Sequence, residues 1–237
     1  MSRVRLFLDQ PLTDHEAVVL DRERSHYLVN VMRLAPGDVL EVFDGRTGAY
    51  PATLAEAGRR AARVELGPLA RPVQEPPDLW LLFAPIKKAR TDFIVEKAAE
   101  LGARRIVPVR TELTNSERVR AERLQAHAVE AAEQCGGTFV PEVTEMEPLN
   151  RLLDRWDRDR ALVFCDETLA GPARGWDAVP PGPAAILIGP EGGFSEAERA
   201  RIVAIGHPVS LGPRILRADT AAAAALALWQ DRFGDWR

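Results

Sequence analysis

Two glycine-proline loops hold the residues of this 237-residue chain best suited to chemistry: Gly189-Pro190-Glu191-Gly192-Gly193 and Gly212-Pro213. Each leaves what reads as a short buried strand, the continuous apolar run Ala184–Ile188 and residues 208–211. Ser195 and Glu198 form a capping box that starts a helix after the first loop. Asp219 or Thr220 is placed to cap an alanine-rich helix after the second. In parallel α/β sheets, ligands sit at the carboxyl ends of strands, where such loops lie. Two of them this close in sequence predict one ligand held between them. Neither loop carries the Lys and Ser/Thr of a phosphate loop, and no G-x-G-x-x-G occurs, so both nucleotide-phosphate motifs are absent. Glu191 would repel a pyrophosphate and suits a neutral or cationic ligand. Gly and Pro also serve turns for geometry alone. Arg214 and Arg217, directly after the second loop, favour a ligand site.

The elements that must position these loops alternate. Residues 79–84 read as a strand, 92–102 as a helix, 105–109 as a strand and 116–135 as a long helix. Ala161–Cys165 is a further strand before the two loops. Such alternation predicts a parallel sheet. Before it, residues 4–69 are β-like. Val39–Phe43 is apolar with one Glu, Asp44-Gly45 is a hairpin signal, and residues 50–54 and 62–66 follow as strands. Residues 71–77, with three prolines, read as a stiff linker, so the chain divides near residue 72.

Composition bounds the rest. The chain is 46% hydrophobic and 28% charged, ordinary for a soluble globular protein. No apolar run is long enough for a membrane helix, and the start lacks a signal-peptide core. Cys135 and Cys165 have no metal-type spacing, and buried, reduced thiols are expected in a cytosolic protein. The histidines show neither metal nor triad spacing. The net charge of −4 requires that any RNA binding use a local basic patch.

The segments LIGPEGGFSEAE and SLGPRILRADTAAAAAL resemble the bacterial ribosomal RNA small-subunit methyltransferase E family, uridine-N3 methyltransferases of the SPOUT superfamily. RLFL, HYLVNVMRLAPGDVLEVFDGRTGAYPATL, KKARTDFIVEKAAELGARRIVPV, EAAEQCGG-x-x-VPE and the ending RFGDWR extend the likeness along the chain. The resemblance implies an α/β fold: a C-terminal parallel-sheet SPOUT domain (residues 72–237) with a deep trefoil knot, and a small N-terminal β-barrel, PUA-like RNA-binding domain (residues 1–71). It implies S-adenosyl-L-methionine as cofactor and no metal. The cofactor would be held by Leu187, Ile188, Gly189, Pro190, Glu191, Gly192, Gly193, Leu211, Gly212, Ile215 and Leu216. It further implies a cytoplasmic homodimer, with both subunits shaping each site, that acts on 16S ribosomal RNA in the small subunit without a membrane. RNA contacts fall on Arg3, Arg5, His26, Arg33 and Lys88. Lys97 and Gln134 lie on matching segments. Asn30, Leu113 and Gly137 depart from the family, where Arg is common, and each loses a potential phosphate contact.

Uridine N3 must lose a proton before it attacks a methyl group, so positioning and a cation that stabilises the uridine anion would suffice. Arg217, leaving the second loop just before a helix, is the candidate catalytic residue; pairing with Asp219 or an RNA phosphate is its plainer role. Asp219 reads as an N-cap rather than a base. Two other functions fit less well: a non-catalytic RNA-binding ribosome assembly factor, and a SPOUT methyltransferase acting on tRNA ribose.

Overall fold

Period-2 apolar residues build the first of two compact units in the computed structural model, which describes residues 4–58, 60–115, 119–171 and 175–236. Its elements are β1 (Arg5–Phe7), β2 (Ala17–Val19), α1 (Arg22–His26), β3 (Val39–Phe43), β4 (Gly48–Glu56), β5 (Arg63–Leu66) and β6 (Arg71–Pro72). The sheet runs β1-β3-β4-β5-β2, with β6 on β4. β1 is parallel to β3, and the other pairs are antiparallel. Leu28, Leu40, Val42, Leu54 and Val64 centre its core. At the expected hairpin, Asp44 accepts the N–H groups of Arg46, Thr47 and Gly48 and the Thr47 hydroxyl. Burial works to raise the Asp44 carboxyl, but these hydrogen bonds outweigh it and hold it below the usual carboxylate range.

Residues 132–140 return to this unit. Arg5 holds them. Its Nη1 donates to the carbonyls of Ala132 (2.7 Å) and Glu133 (3.1 Å), and its Nη2 to that of Gly137 (2.6 Å). Its Nε donates to Glu41 (2.7 Å), which also pairs with Arg71. The expected linker at 71–77 therefore starts late. Arg71 and Pro72 pair with β4, Val73 donates to Thr47 O, and Gln74 donates to Thr138 Oγ1. Backbone pairing has overridden the proline signal.

The second unit, residues 76–131 and 141–237, contains β7 (Leu79–Phe83), α2 (Lys88–Glu100), β8 (Arg105–Arg110), α3 (Ala121–Cys135), β9 (Glu142–Val143), β10 (Glu147–Pro148), α4 (Leu149–Asp154), β11 (Ala161–Cys165), β12 (Ala184–Ile188), α5 (Glu196–Ile205), β13 (Gly206–Val209) and α6 (Ala218–Phe233). The last turn of α3 is counted with the first unit. The sheet is parallel throughout, in the order β10-β8-β7-β12-β11-β13, with β9 also on β8. Parallel strands put all their carboxyl ends on one edge. β12 is buried along its whole length, as expected of a central strand in a parallel sheet. Leu82, Val107, Leu152, Phe164, Leu187 and Ile202 form one of its cores. No helix among the described residues is long and apolar enough to cross a membrane.

Several boundaries differ from the expected ones. The helix expected at 92–102 starts a turn early, at Lys88, because Thr91 Oγ1 closes the preceding loop by exchanging hydrogen bonds with Ile86. The helix expected at 116–135 starts at Ala121, and residues 116–118 lie outside the described residues. The strand expected at 208–211 is Gly206–Val209. α5 passes into it with no intervening loop, Gly206 being both helix cap and first strand residue. Arg217, not Asp219 or Thr220, occupies the N-cap of α6, and it makes no side-chain cap. Cys135 is exposed, not buried.

Candidate functional site

Three neighbouring strands, β12, β11 and β13, end in loops on the same edge of the sheet. The β12 loop begins at Gly189, where a Cβ would stand 2.7 Å from the Phe194 ring. It closes with Gly193 N–H donating to Pro190 O at 2.9 Å, with Gly193 in the left-handed region at φ +70°. Ser195 and Glu198 then form the expected capping box. The β13 loop turns at Gly212, φ +118°. Gly212 N–H donates to Ser210 Oγ, and Trp176 Nε1 donates to Ser210 O at 3.2 Å. The β11 loop begins at Asp166, which accepts from Thr168 N (3.0 Å) and Oγ1 (2.8 Å) and pairs with Arg199 of α5.

Together the loops enclose a cavity of about 290 Å³, near the lower end of ligand-pocket sizes. Ile188, Gly189, Pro190, Glu191 and Gly193 line it from the first expected loop. Leu211, Gly212, Ile215, Leu216 and Arg217 line it from the second, with Arg214 beside them. Leu187 and Gly192 are not in the lining. Leu187 is fully buried in the sheet core. Gly192 is exposed, and a Cβ there would meet Leu113 at 3.4 Å. The β11 loop is the part that sequence reasoning missed: Cys165, Asp166, Glu167 and Ala170 also line the cavity. Asp166-x-Thr168 after a buried strand was the available signal, a local turn motif at the edge where ligands bind.

The lining fits a nucleoside-sulfonium cofactor. Ile188, Val209, Leu211 and Leu216 supply apolar wall, while Glu167 and Glu191 supply negative charge. At Gly212 no atom lies within 4 Å of where a Cβ would project. The backbone there is an open cradle that a side chain would fill. Burial pushes the Cys165 thiol up to about 12, so at neutral pH it remains a thiol and not a nucleophile.

Arg217, in the lining, is exposed at the start of α6. The other expected residues scatter. Asp219 accepts from Thr220 N–H and lies 3.7 Å from Arg90. Lys88 is exposed at the start of α2, and Lys97 pairs with Glu100. Gln134 is exposed. In the first unit His26 Nδ1 lies 3.0 Å from Asn30 Nδ2. Exposed Arg33 follows a π-helical turn, Tyr27–Val31, with φ +58°, a conformation rare for a residue with a side chain. Arg5 is corrected. Its guanidinium is consumed by Glu41 and three carbonyls, so it holds the fold rather than offering charge to RNA. Arg3 lies outside the described residues.

Glycine loops at the carboxyl edge of a parallel sheet, with a separate small β unit, are the features of a class of protein that the family models describe as RNA methyltransferases. A family model described as an RNA methyltransferase domain matches residues 73–230, and one described as an RNA methyltransferase PUA domain matches residues 20–67. Ribosomal RNA small subunit methyltransferase E of Synechocystis is 32% identical over 217 residues, covering 89% of this chain and 71% of that one. A Legionella pneumophila methyltransferase solved with the bound cofactor SAM has a TM-score of 0.91 and 26% identity, covering 99% of this chain and 100% of that one. Ribosomal RNA small subunit methyltransferase E of Neisseria gonorrhoeae, bound to S-adenosyl methionine, has a TM-score of 0.87 and 29% identity over 99% and 100%. The chain belongs to the ribosomal RNA small subunit methyltransferase E family.

Proposed function

We propose that this chain methylates N3 of a uridine in 16S ribosomal RNA, using S-adenosylmethionine. The observation that carries the reading is the cavity where three strand-end loops meet, with glycine backbone, apolar wall, carboxylates and Arg217 on one small surface. S-adenosylmethionine, when bound, supplies a methyl group already activated by its sulfonium. Gly189, Gly193 and Gly212 let backbone approach it, and Ile188, Leu211, Ile215 and Leu216 exclude water from its apolar part. Leu187 supports the loop from the core, and Gly192 from its outer side. Pro190 stiffens the turn, and Glu191 places negative charge near a cation. Arg217 offers a positive charge to the uridine anion as N3 gives up its proton.

Further parts of the reading rest on the family. The segment 1–71, through His26 and Arg33, contributes RNA recognition, and 72–237 contributes the chemistry with Lys88 facing RNA. The second unit carries a trefoil knot, and two copies pair in the cytoplasm. Ala223 and Ala224 of α6 are only partly buried and small enough for close helix approach, which supports pairing. The test combines calorimetry with S-adenosylmethionine and methylation of small-subunit particles from a strain lacking the protein, the product base being identified by mass spectrometry. Micromolar binding and 3-methyluridine are expected. No binding, or a methylated ribose, overturns the reading. Light scattering that finds a monomer at micromolar concentration overturns the dimer.

A further inference from the structure

A Cβ on Gly193 would stand 2.8 Å from Glu167 Oε1. The Glu167 carboxylate therefore reaches across from the end of β11 to the loop that leaves β12. It is fixed from behind. Asp166, only 4% exposed, caps the 167–169 turn and is pinned by Arg199. The charge of Asp166 is thus matched within the fold. Glu167, also in the cavity lining, has no hydrogen-bond or ion-pair partner for its side chain among the described residues.

An ionised carboxylate offers two acceptor oxygens side by side and no donor. A vicinal diol presents two donors at matching spacing, whereas a phosphate presents only further negative charge. The place in the sheet agrees. In dinucleotide folds an acid beyond a strand near the glycine loop takes a ribose hydroxyl, and β11 is the direct neighbour of β12. We propose that Glu167 is a cofactor-recognition residue that accepts hydrogen bonds from the vicinal hydroxyls of a ribose. This rests on the cavity being the S-adenosylmethionine site.

The experiment is calorimetry on the full chain and its Glu167→Gln and Glu167→Ala variants. The probes are S-adenosylmethionine, 5′-methylthioadenosine and the 2′-deoxy form of the latter. Hydrogen bonds to a charged group imply a loss of about tenfold or more for both ribose ligands in the variants. The 2′-deoxy ligand should bind all three proteins within about twofold of one another, since its partner for Glu167 is already impaired. Glu167 is exposed, so the variants should keep the wild-type circular dichroism. Equal affinity of wild type and variants for S-adenosylmethionine overturns the assignment. So does an equal loss for ribose and deoxyribose ligands, which would indicate bulk charge. Wild type that binds none of the probes overturns the reading of the cavity itself, and the assignment with it.

Discussion

Glu198 Oε1 accepts the backbone N–H of Glu112 at 2.9 Å, joining two loops 86 residues apart. Its Oε2 accepts the Ser195 N–H at 3.2 Å, and Ser195 Oγ accepts the Glu198 N–H. A carboxylate only 1% exposed is thus satisfied by backbone donors from the start of α5 and from the turn after β8. That turn places Leu113 against Gly192. Sequence shows the capping box, but not that its glutamate serves a second loop.

Glu198→Ala should therefore destabilise the protein by about 2 kcal/mol, since it removes two part-buried hydrogen bonds to a charged group. Ser195→Ala, which removes only the cap, should cost about 1 kcal/mol. Urea unfolding measures both. Equal costs would mean that the bond to Glu112 contributes nothing.

The glycines of the β12 loop should separate sharply. Gly193→Ala puts a side chain at φ +70° and into Glu167, and should weaken S-adenosylmethionine binding about tenfold or more. Gly192→Ala meets Leu113 at an ordinary contact distance and should leave affinity within about twofold. Calorimetry decides. Comparable losses at both positions would place Gly192 in the cofactor's contact surface.

Arg217→Ala should lower the methylation rate by ~10²–10³ with little change in cofactor affinity, because its charge acts on the developing anion. Arg33→Ala should weaken RNA binding and reduce the salt slope by about one, leaving saturated turnover intact. Both are assayed on assembled small subunits. Normal turnover of Arg217→Ala at saturation would make Arg217 a phosphate anchor.

The first unit should be acid-labile. Burial works to raise the Glu41 carboxyl, but hydrogen bonds and charge from Arg5 and Arg71 outweigh it and hold it low, as the hairpin N–H groups do for Asp44. Carboxyls lowered by folding stabilise fully above their ordinary value of about 4. That stability is lost as pH falls through the lower folded values. Amide exchange in β3 and β4 should accelerate across that window. Glu41→Gln and Asp44→Asn should exchange faster at neutral pH and respond less to acid. An unchanged pH response in both would refute the assignment.

Strands with continuous apolar runs were legible to the residue, as at β11 and β12, because burial on both sides leaves little other reading. Boundaries set by single hydrogen bonds were not, as at Thr91 before α2 or Gly206 between α5 and β13. Most of the site was legible because close backbone approach demands glycine, which sequence displays. The β11 loop adds Asp166 and Glu167 to the cavity lining, acids that occur as readily on any solvated surface, and only the adjacency of β11 to β12 distinguishes them. The engagement of Arg5, expected as an RNA contact, was not legible because its acceptors are mostly carbonyls, which every sequence has.

The return of residues 132–140 to the first unit fixes a timetable for synthesis. A nascent chain that has released only its first 75 residues lacks the carbonyls that Arg5 holds and the Val140 that packs beside Phe43. Completion of the N-terminal unit must wait until α2, β8 and α3 have left the ribosome, so the part made first is not the part finished first.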